Sequence, residues 1–312
     1  MSAQNEWQTY WRGRNDVPQD RRHRLLGDKY DAELDAFWRG VLSGLPESTR
    51  MVDLACGSGA TVKAALALGF EDVTGVDISP DAIEMLKDNC PGAKGVAAPL
   101  DEMPFEDGAF DLVTSQFGFE YAGALDRAED IASLVAADGQ FVALVHMQEG
   151  GIARECEAAR AEAQAFDEIG FIPVAQKFFK VLTQRDVGLS NDQALNDAMQ
   201  AQDGPRSKLV ELGHTGHPLA QHAIQGAGWF FENRANTPLT EIIDWFETID
   251  RENKAHMARM EGMLSAALSK AEAEAFLTKL EGQGMDTETV KPFQPFETEP
   301  PVGWILRARR RD

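Results

Sequence analysis

Residues 51–60, Met-Val-Asp-Leu-Ala-Cys-Gly-Ser-Gly-Ala, constrain this chain more than any other stretch. Met51, Val52 and Leu54 make the short apolar run expected of a buried strand. Gly57 and Gly59 follow; without a Cβ they let the backbone turn sharply and come close to a ligand. Residues 61–68 are good helix formers, and Gly69 is a natural stop. A strand, a glycine turn and a helix in this order place a ligand at the carboxyl end of the strand, beside a helix N-terminus.

The same alternation continues to about residue 147. The pattern predicts strands over 51–55, 73–77, 95–98, 110–115 and 140–146, with helices over 61–68, 80–89 and 124–135 between them. Ser79 reads as an N-cap and Pro80 as a first-turn proline, where its missing N–H costs nothing. Repeated βα units imply a parallel sheet covered by helices on both faces, with right-handed crossovers. Upstream, 33–45 has helical periodicity, with Phe37 and Trp38 as core candidates. Beyond Gln148 the strand pattern stops. Helices are expected over 152–166, 173–182, 191–202, 208–214, 219–225, 239–268 and 271–281, punctuated by glycine and proline. An alternating strand returns only at 303–309. The helical block is therefore an insertion in the α/β domain.

Composition narrows the partners. The formal net charge is −21, which would repel phosphates over most of the surface, so no nucleic-acid partner is expected. No apolar run is long enough for a membrane span. The first residues are polar, without the apolar centre of a signal peptide. The three cysteines have no metal-ligand spacing, and their odd number fits a reducing compartment. A cytoplasmic protein without membrane or metal is the expectation.

Two ligand classes use a glycine turn after the first strand. A dinucleotide needs a small third residue in G-x-G-x-x-G/A, and Val62 stands there. Asp53 lies inside the strand, where its carboxylate would repel a pyrophosphate and attract an ammonium group.

This combination resembles the class I S-adenosylmethionine (AdoMet)-dependent methyltransferases. The residues that carry the likeness are Val52-Asp53-Leu54-Ala55-Cys56-Gly57-Ser58-Gly59, Val73-Thr74-Gly75-Val76-Asp77-Ile78-Ser79, and Leu100-Asp101-Glu102-Met103-Pro104-Phe105 with the acidic stretch leading into residues 110–113. Val113-Thr114-Ser115-Gln116-Phe117-Gly118-Phe119 is similar to the strand-four exit of the small-molecule branch. The resemblance covers roughly residues 48–147. It implies a doubly wound, mostly parallel, seven-stranded Rossmann-like sheet with a large helical insertion after the fifth strand. The expected division is an N-terminal helical cap over 1–47, a core over 48–150 and 270–312, and the insertion over 151–269.

The resemblance further implies that AdoMet is the cofactor and S-adenosylhomocysteine (AdoHcy) the product. Asp53, Ala55, Cys56, Gly57 and Gly59 would border its amino-acid end. Asp77 would accept the ribose hydroxyls, Ile78 would pack on one face of adenine, and Leu100 would pack near the other face or offer its backbone N–H. The acid that the family often has before Leu100 is replaced by Pro99, so Asp101 takes its place as the adenine acceptor; a helix N-cap is its other reading. Gln116 and Phe117 would border the activated methyl.

On the acceptor side the candidates are Tyr10, Trp11, Tyr121, His146, His217 and Trp229, with His146 as a general base because histidine titrates near neutrality. The helical insertion is expected to roof the site and select a small organic acceptor, methylated on oxygen or nitrogen. A peptide or protein acceptor, or a non-catalytic AdoMet-binding protein of the same fold, are the alternatives.

Overall fold

In the computed structural model of the protein, residues 29–311 are described. The chain divides into two compact units: one ends at Glu155 and resumes at Gly262, and the other runs Cys156–Glu261.

In the first unit, helix α1 (Asp31–Leu42) precedes strand β1 (Arg50–Leu54), α2 (Ala60–Ala67), β2 (Asp72–Asp77), α3 (Pro80–Asn89), β3 (Lys94–Ala97) and β4 (Phe110–Gln116). Two 3₁₀ turns follow, Phe119–Ala122 and Ala124–Asp126, then α4 (Ala128–Leu134) and β5 (Val135–His146). After the helical block come α10 (Lys270–Gly282), β6 (Met285–Thr287), β7 (Lys291–Phe293) and β8 (Gly303–Arg310). The sheet runs β3-β2-β1-β4-β5-β8-β6, with β7 also on β8. β3, β2, β1, β4 and β5 are parallel to their neighbours; β8 is antiparallel to β5, and β6 and β7 to β8.

The fold class is the one read from the sequence, but the sheet has eight strands, not seven. β6 and β7 span three residues each, too few for an alternating pattern to register. The helix expected over 124–135 is also shorter. Gly123 takes a left-handed φ of +80° between the two tight turns, residues 124–126 form the second of them before α4 begins at Ala128, and Val135 already belongs to β5.

β1 is buried at every position after Arg50, as befits a strand covered on both faces. The core beneath the sheet joins Val52, Leu54, Val113, Phe141 and Val145 to Phe119 and to Phe276 and Leu280 of α10. The rings of Phe119, Phe141 and Phe276 lie 5.1–5.8 Å apart. Each such ring contributes about 1.5–3 kcal/mol by leaving water.

The helical block holds α5 (Gly151–Glu168), α6 (Phe171–Asp186), α7 (Asp192–His214), α8 (Pro218–Asn233) and α9 (Leu239–Ala266). The second unit has its own core of Phe166, Phe171, Phe178, Phe179, Phe230 and Phe246 with small alanines between them. Two expected breaks are absent. α7 runs through Gly204-Pro205, so 191–202 and 208–214 are one helix. α8 continues past Gly226 and Gly228 to Asn233. Gly226 is a packing glycine: a Cβ there would overlap the Trp245 indole.

Candidate functional site

The parallel strand order reverses between β1 and β4, since β2 and β3 lie to one side of β1 and β5 lies beyond β4. Ligands of open α/β sheets bind outside the carboxyl ends of the strands at such a switch point. The loops that border it here are 55–59 after β1, 78–79 after β2, 116–121 after β4 and His146 at the end of β5.

The backbone is unusual at this edge. Ala55 and Phe117, which follow β1 and β4, have positive φ values of 51° and 52°, a conformation that costs a non-glycine residue and collects at functional sites. Gly118 must be glycine, because a Cβ would stand 2.6 Å from the Cβ of Ala55 and 2.9 Å from its carbonyl oxygen. The two loops are therefore in close apposition. Gly57 and Gly59 are both left-handed, with φ of 52° and 89°.

Two carboxylates are buried here, Asp53 and Asp77. Asp53 Oδ1 accepts from Thr114 Oγ1 at 2.8 Å. Burial pushes its pKa up to about 7, the Thr114 hydroxyl opposes this, and the charge of Asp77 adds to it. Asp77 accepts the Gly57 amide on Oδ2 at 3.0 Å and the Ser79 amide on Oδ1 at 2.9 Å. These bonds fix the carboxylate plane and leave each oxygen a second lone pair. Burial raises the Asp77 pKa as well, against those two amides. Among the described residues neither acid pairs with a basic side chain. Buried carboxylates without a cation are costly, and their placement at a ligand-binding edge fits a group carrying positive charge.

Ser79 caps α3 as expected, its Oγ accepting from the Ala82 amide at 3.4 Å, with Pro80 in the first turn. Ile78, beside it, is half-buried. Cys56 points its Sγ at Gly75 of β2, where a Cβ would stand 2.7 Å from it. Burial pushes the thiol well up, so it stays protonated as a small packing group.

Leu100 is buried in the core of the sheet unit, so its side chain is committed to packing. Asp101 stands exposed in a turn closed by the Glu102 amide on the Pro99 carbonyl at 3.1 Å; no helix begins there for it to cap. Gln116 accepts the indole N–H of the buried Trp38 at 2.6 Å, which engages its oxygen with α1.

The densest polar arrangement includes a residue that the sequence reading missed. Glu120 lies in the 3₁₀ turn after β4 with its side chain wholly buried, and His146 is nearly so. Glu120 Oε1 accepts the His146 backbone N–H at 3.0 Å and stands 2.7 Å from Nδ1. The Phe117 ring lies against the imidazole at 4.7 Å between centroids, and Tyr121 meets it edge-on at 5.7 Å. Gly303, opposite His146 on β8, makes room for this: a Cβ there would stand 2.9 Å from the Phe117 ring. His146 Nε2 and Glu120 Oε2 are buried without a protein partner among the described residues. Leaving such an atom unpaired costs about 1–3 kcal/mol. The signal available in the sequence was a single acid set among aromatics, Phe119-Glu120-Tyr121, directly after a strand.

The other acceptor-side candidates are placed differently. Tyr10 and Trp11 lie outside the described residues. His217 has both ring nitrogens occupied by backbone: Nδ1 accepts from the Ala220 amide at 3.3 Å, and Nε2 meets the Glu162 carbonyl at 3.1 Å. It is the N-cap of α8, so both ring nitrogens are engaged within the protein. Trp229 is 53 % exposed on α8, edge-on to Phe230 at 5.1 Å between centroids.

Residues 52–143 match the family model described as a methyltransferase domain. The chain is 31 % identical over 137 residues to the ubiquinone/menaquinone biosynthesis C-methyltransferase UbiE of Citrifermentans bemidjiense, covering 39 % of this chain and 57 % of that protein. It is 32 % identical over 139 residues to the ribosomal protein L11 methyltransferase of Geobacter sulfurreducens, covering 44 % of each. Against the demethylmenaquinone methyltransferase of Beutenbergia cavernae it is 36 % identical over 101 residues, covering 31 % of this chain and 42 % of that one. The chain thus spans about half the length of the curated relatives it matches.

Proposed function

We propose that this chain, whose residues 52–143 match the methyltransferase-domain family model, is a class I AdoMet-dependent methyltransferase that transfers a methyl group from AdoMet to a small organic acceptor. The observation that carries the reading is the pair of buried, cation-free carboxylates, Asp53 and Asp77, at the switch point of the sheet. AdoMet supplies a methyl on a positively charged sulfur and an ammonium group, and a cation is what these acids lack.

On this reading Asp53 faces the amino-acid end, and Gly57 and Gly59 let the main chain approach it. Asp77 uses its remaining lone pairs for the ribose hydroxyls, its plane already held by the Gly57 and Ser79 amides. Ile78 offers the apolar face for adenine. Phe117 borders the reacting centre, and its left-handed backbone turns the chain toward the cofactor.

The acceptor is the finer part of the proposal. The names of the matched relatives include a C-methyltransferase of quinone biosynthesis and a methyltransferase of a ribosomal protein. The net charge of −21 favours a small molecule over a polyanion. The test is incubation of the full chain with methyl-labelled AdoMet and a metabolite extract, read by mass spectrometry. A metabolite gaining one labelled methyl is the expected result. Labelled protein as the sole product, or no transfer despite bound AdoHcy, would replace the reading with a protein methyltransferase or a cofactor-binding protein.

A further inference from the structure

We propose that Glu120 and His146 form a proton-accepting dyad. His146 Nε2 is the general base that takes the proton of an acceptor hydroxyl or N–H group, and Glu120 is its positioning residue. The inference rests on the methyltransferase reading above and adds to it the chemical form in which the acceptor enters, protonated and uncharged.

The geometry fixes which nitrogen is basic. Glu120 Oε1 already accepts the backbone N–H of His146, and the same oxygen lies 2.7 Å from Nδ1. A carboxylate oxygen is an acceptor, so Nδ1 is the donor and carries the proton. In the neutral ring Nε2 then holds the lone pair. That atom is buried and has no protein partner among the described residues. A strand-end histidine used only for packing would find a backbone group for both nitrogens, as His217 does. His146 keeps one nitrogen unpaired beside the switch point, with the Phe117 and Tyr121 rings packed against the imidazole.

Holding the ring from two directions is what a general base requires, because proton transfer depends on reach and orientation before basicity. The backbone amide and Nδ1 both address one oxygen of Glu120, so rotation of the ring would break the bond. The chemical balance is simple. The bond formed joins the acceptor atom to the methyl carbon, and the bond broken is methyl carbon to sulfur. The acceptor's proton moves to Nε2, the sulfur leaves uncharged, and the imidazolium is balanced by Glu120 until the proton passes to solvent. An acceptor that enters as an anion would not need this device.

Among the described residues the titratable side chains recorded against the ring are Glu120 and Tyr121, both from the turn after β4. β8 presents Gly303 there. The segment before α10 presents Leu268, whose amide donates to the His146 carbonyl at 2.8 Å.

The test uses the full chain labelled with nitrogen-15 histidine and loaded with AdoHcy. Long-range proton–nitrogen spectra are expected to show His146 as the Nδ1–H tautomer, and that pattern is lost in Glu120→Leu, which offers no acceptor to Nδ1. An Nε2–H tautomer in the wild type would overturn the proposal. With AdoMet and the metabolite extract, His146→Gln should lower kcat by roughly 10²-fold or more, leave the KM for AdoMet unchanged, and abolish the acidic limb of the pH–rate profile. Glu120→Gln should lower kcat in the same direction at unchanged KM. Equal kcat and an unchanged profile in both variants would overturn it too. Failure of the wild type to bind AdoHcy is a separate result, and it would remove the methyltransferase reading itself.

Discussion

The two units of this chain bury polar side chains in opposite ways. In the helical unit the described buried polar residues are His217 and Asn253, and both serve the backbone. His217 caps α8, and the Asn253 amide donates to the Ala163 carbonyl at 3.0 Å. In the sheet unit Asp53, Asp77, Glu120 and His146 are buried along one edge; among the described residues none of the three acids pairs with a lysine or arginine, and His146 Nε2 and Glu120 Oε2 lack a partner. Among the described residues the left-handed non-glycine positions, Ala55, Phe117, Asp138 and Glu149, also all fall in that unit. A fold tolerates polar burial cheaply when the backbone answers it. Where it is left unanswered, a ligand is the natural partner.

The sharpest way to break this contrast is to remove one polar group from each unit. Asp77→Ala should weaken AdoHcy binding by roughly 10²-fold or more, the scale of two lost hydrogen bonds to a charged group. His217→Ala should leave that affinity unchanged while lowering the unfolding free energy by about 1 kcal/mol, the scale of a lost helix cap. Calorimetric titration and thermal unfolding of both variants check this, and equal affinities would erase the distinction.

A second comparison uses the two packing glycines. Gly118→Ala forces a methyl against Ala55, and Gly226→Ala forces one into Trp245. Each should cost about 1–3 kcal/mol of stability. Only Gly118→Ala should also reduce AdoHcy binding, because only it disturbs the apposed loops at the switch point. A loss of binding in Gly226→Ala would show that the helical core shapes the site.

A third contrast lies in pH. Asp53 is raised from 3.8 to about 7 in the folded protein. Between those values the folded chain holds a proton that the unfolded chain has released. Stability of the ligand-free protein should therefore fall as pH rises through that window and level off above it. A cationic group binds the ionised acid, so AdoHcy affinity should decline as pH falls below about 7. Asp53→Asn should flatten both curves; an unchanged slope in the variant would assign the dependence to another group.

Much of this edge was legible in the residues. The run 51–60 and the acid at 77 announce themselves because strand, turn and helix are local and each needs particular side chains. What escaped depends on contacts between distant segments. Glu120 matters only because β4 and β5 are neighbours, which brings it to His146, 26 positions away. Gln116 was read as a cofactor contact, and its oxygen turned out to hold the Trp38 indole. His217 looked available because nothing nearby in sequence marks both its nitrogens as occupied. Gly226 read as a break because glycine usually is one; its reason is the indole of a residue on the next helix. β6 and β7 were too short to carry a period.

The most direct test of the central claim, that the carboxyl edge of the sheet is an AdoMet site, is calorimetric titration of the wild-type full chain with AdoHcy and, separately, with NAD. Saturable one-to-one binding of AdoHcy with no heat from NAD is the predicted result. Binding of NAD, or no binding of AdoHcy, would contradict it.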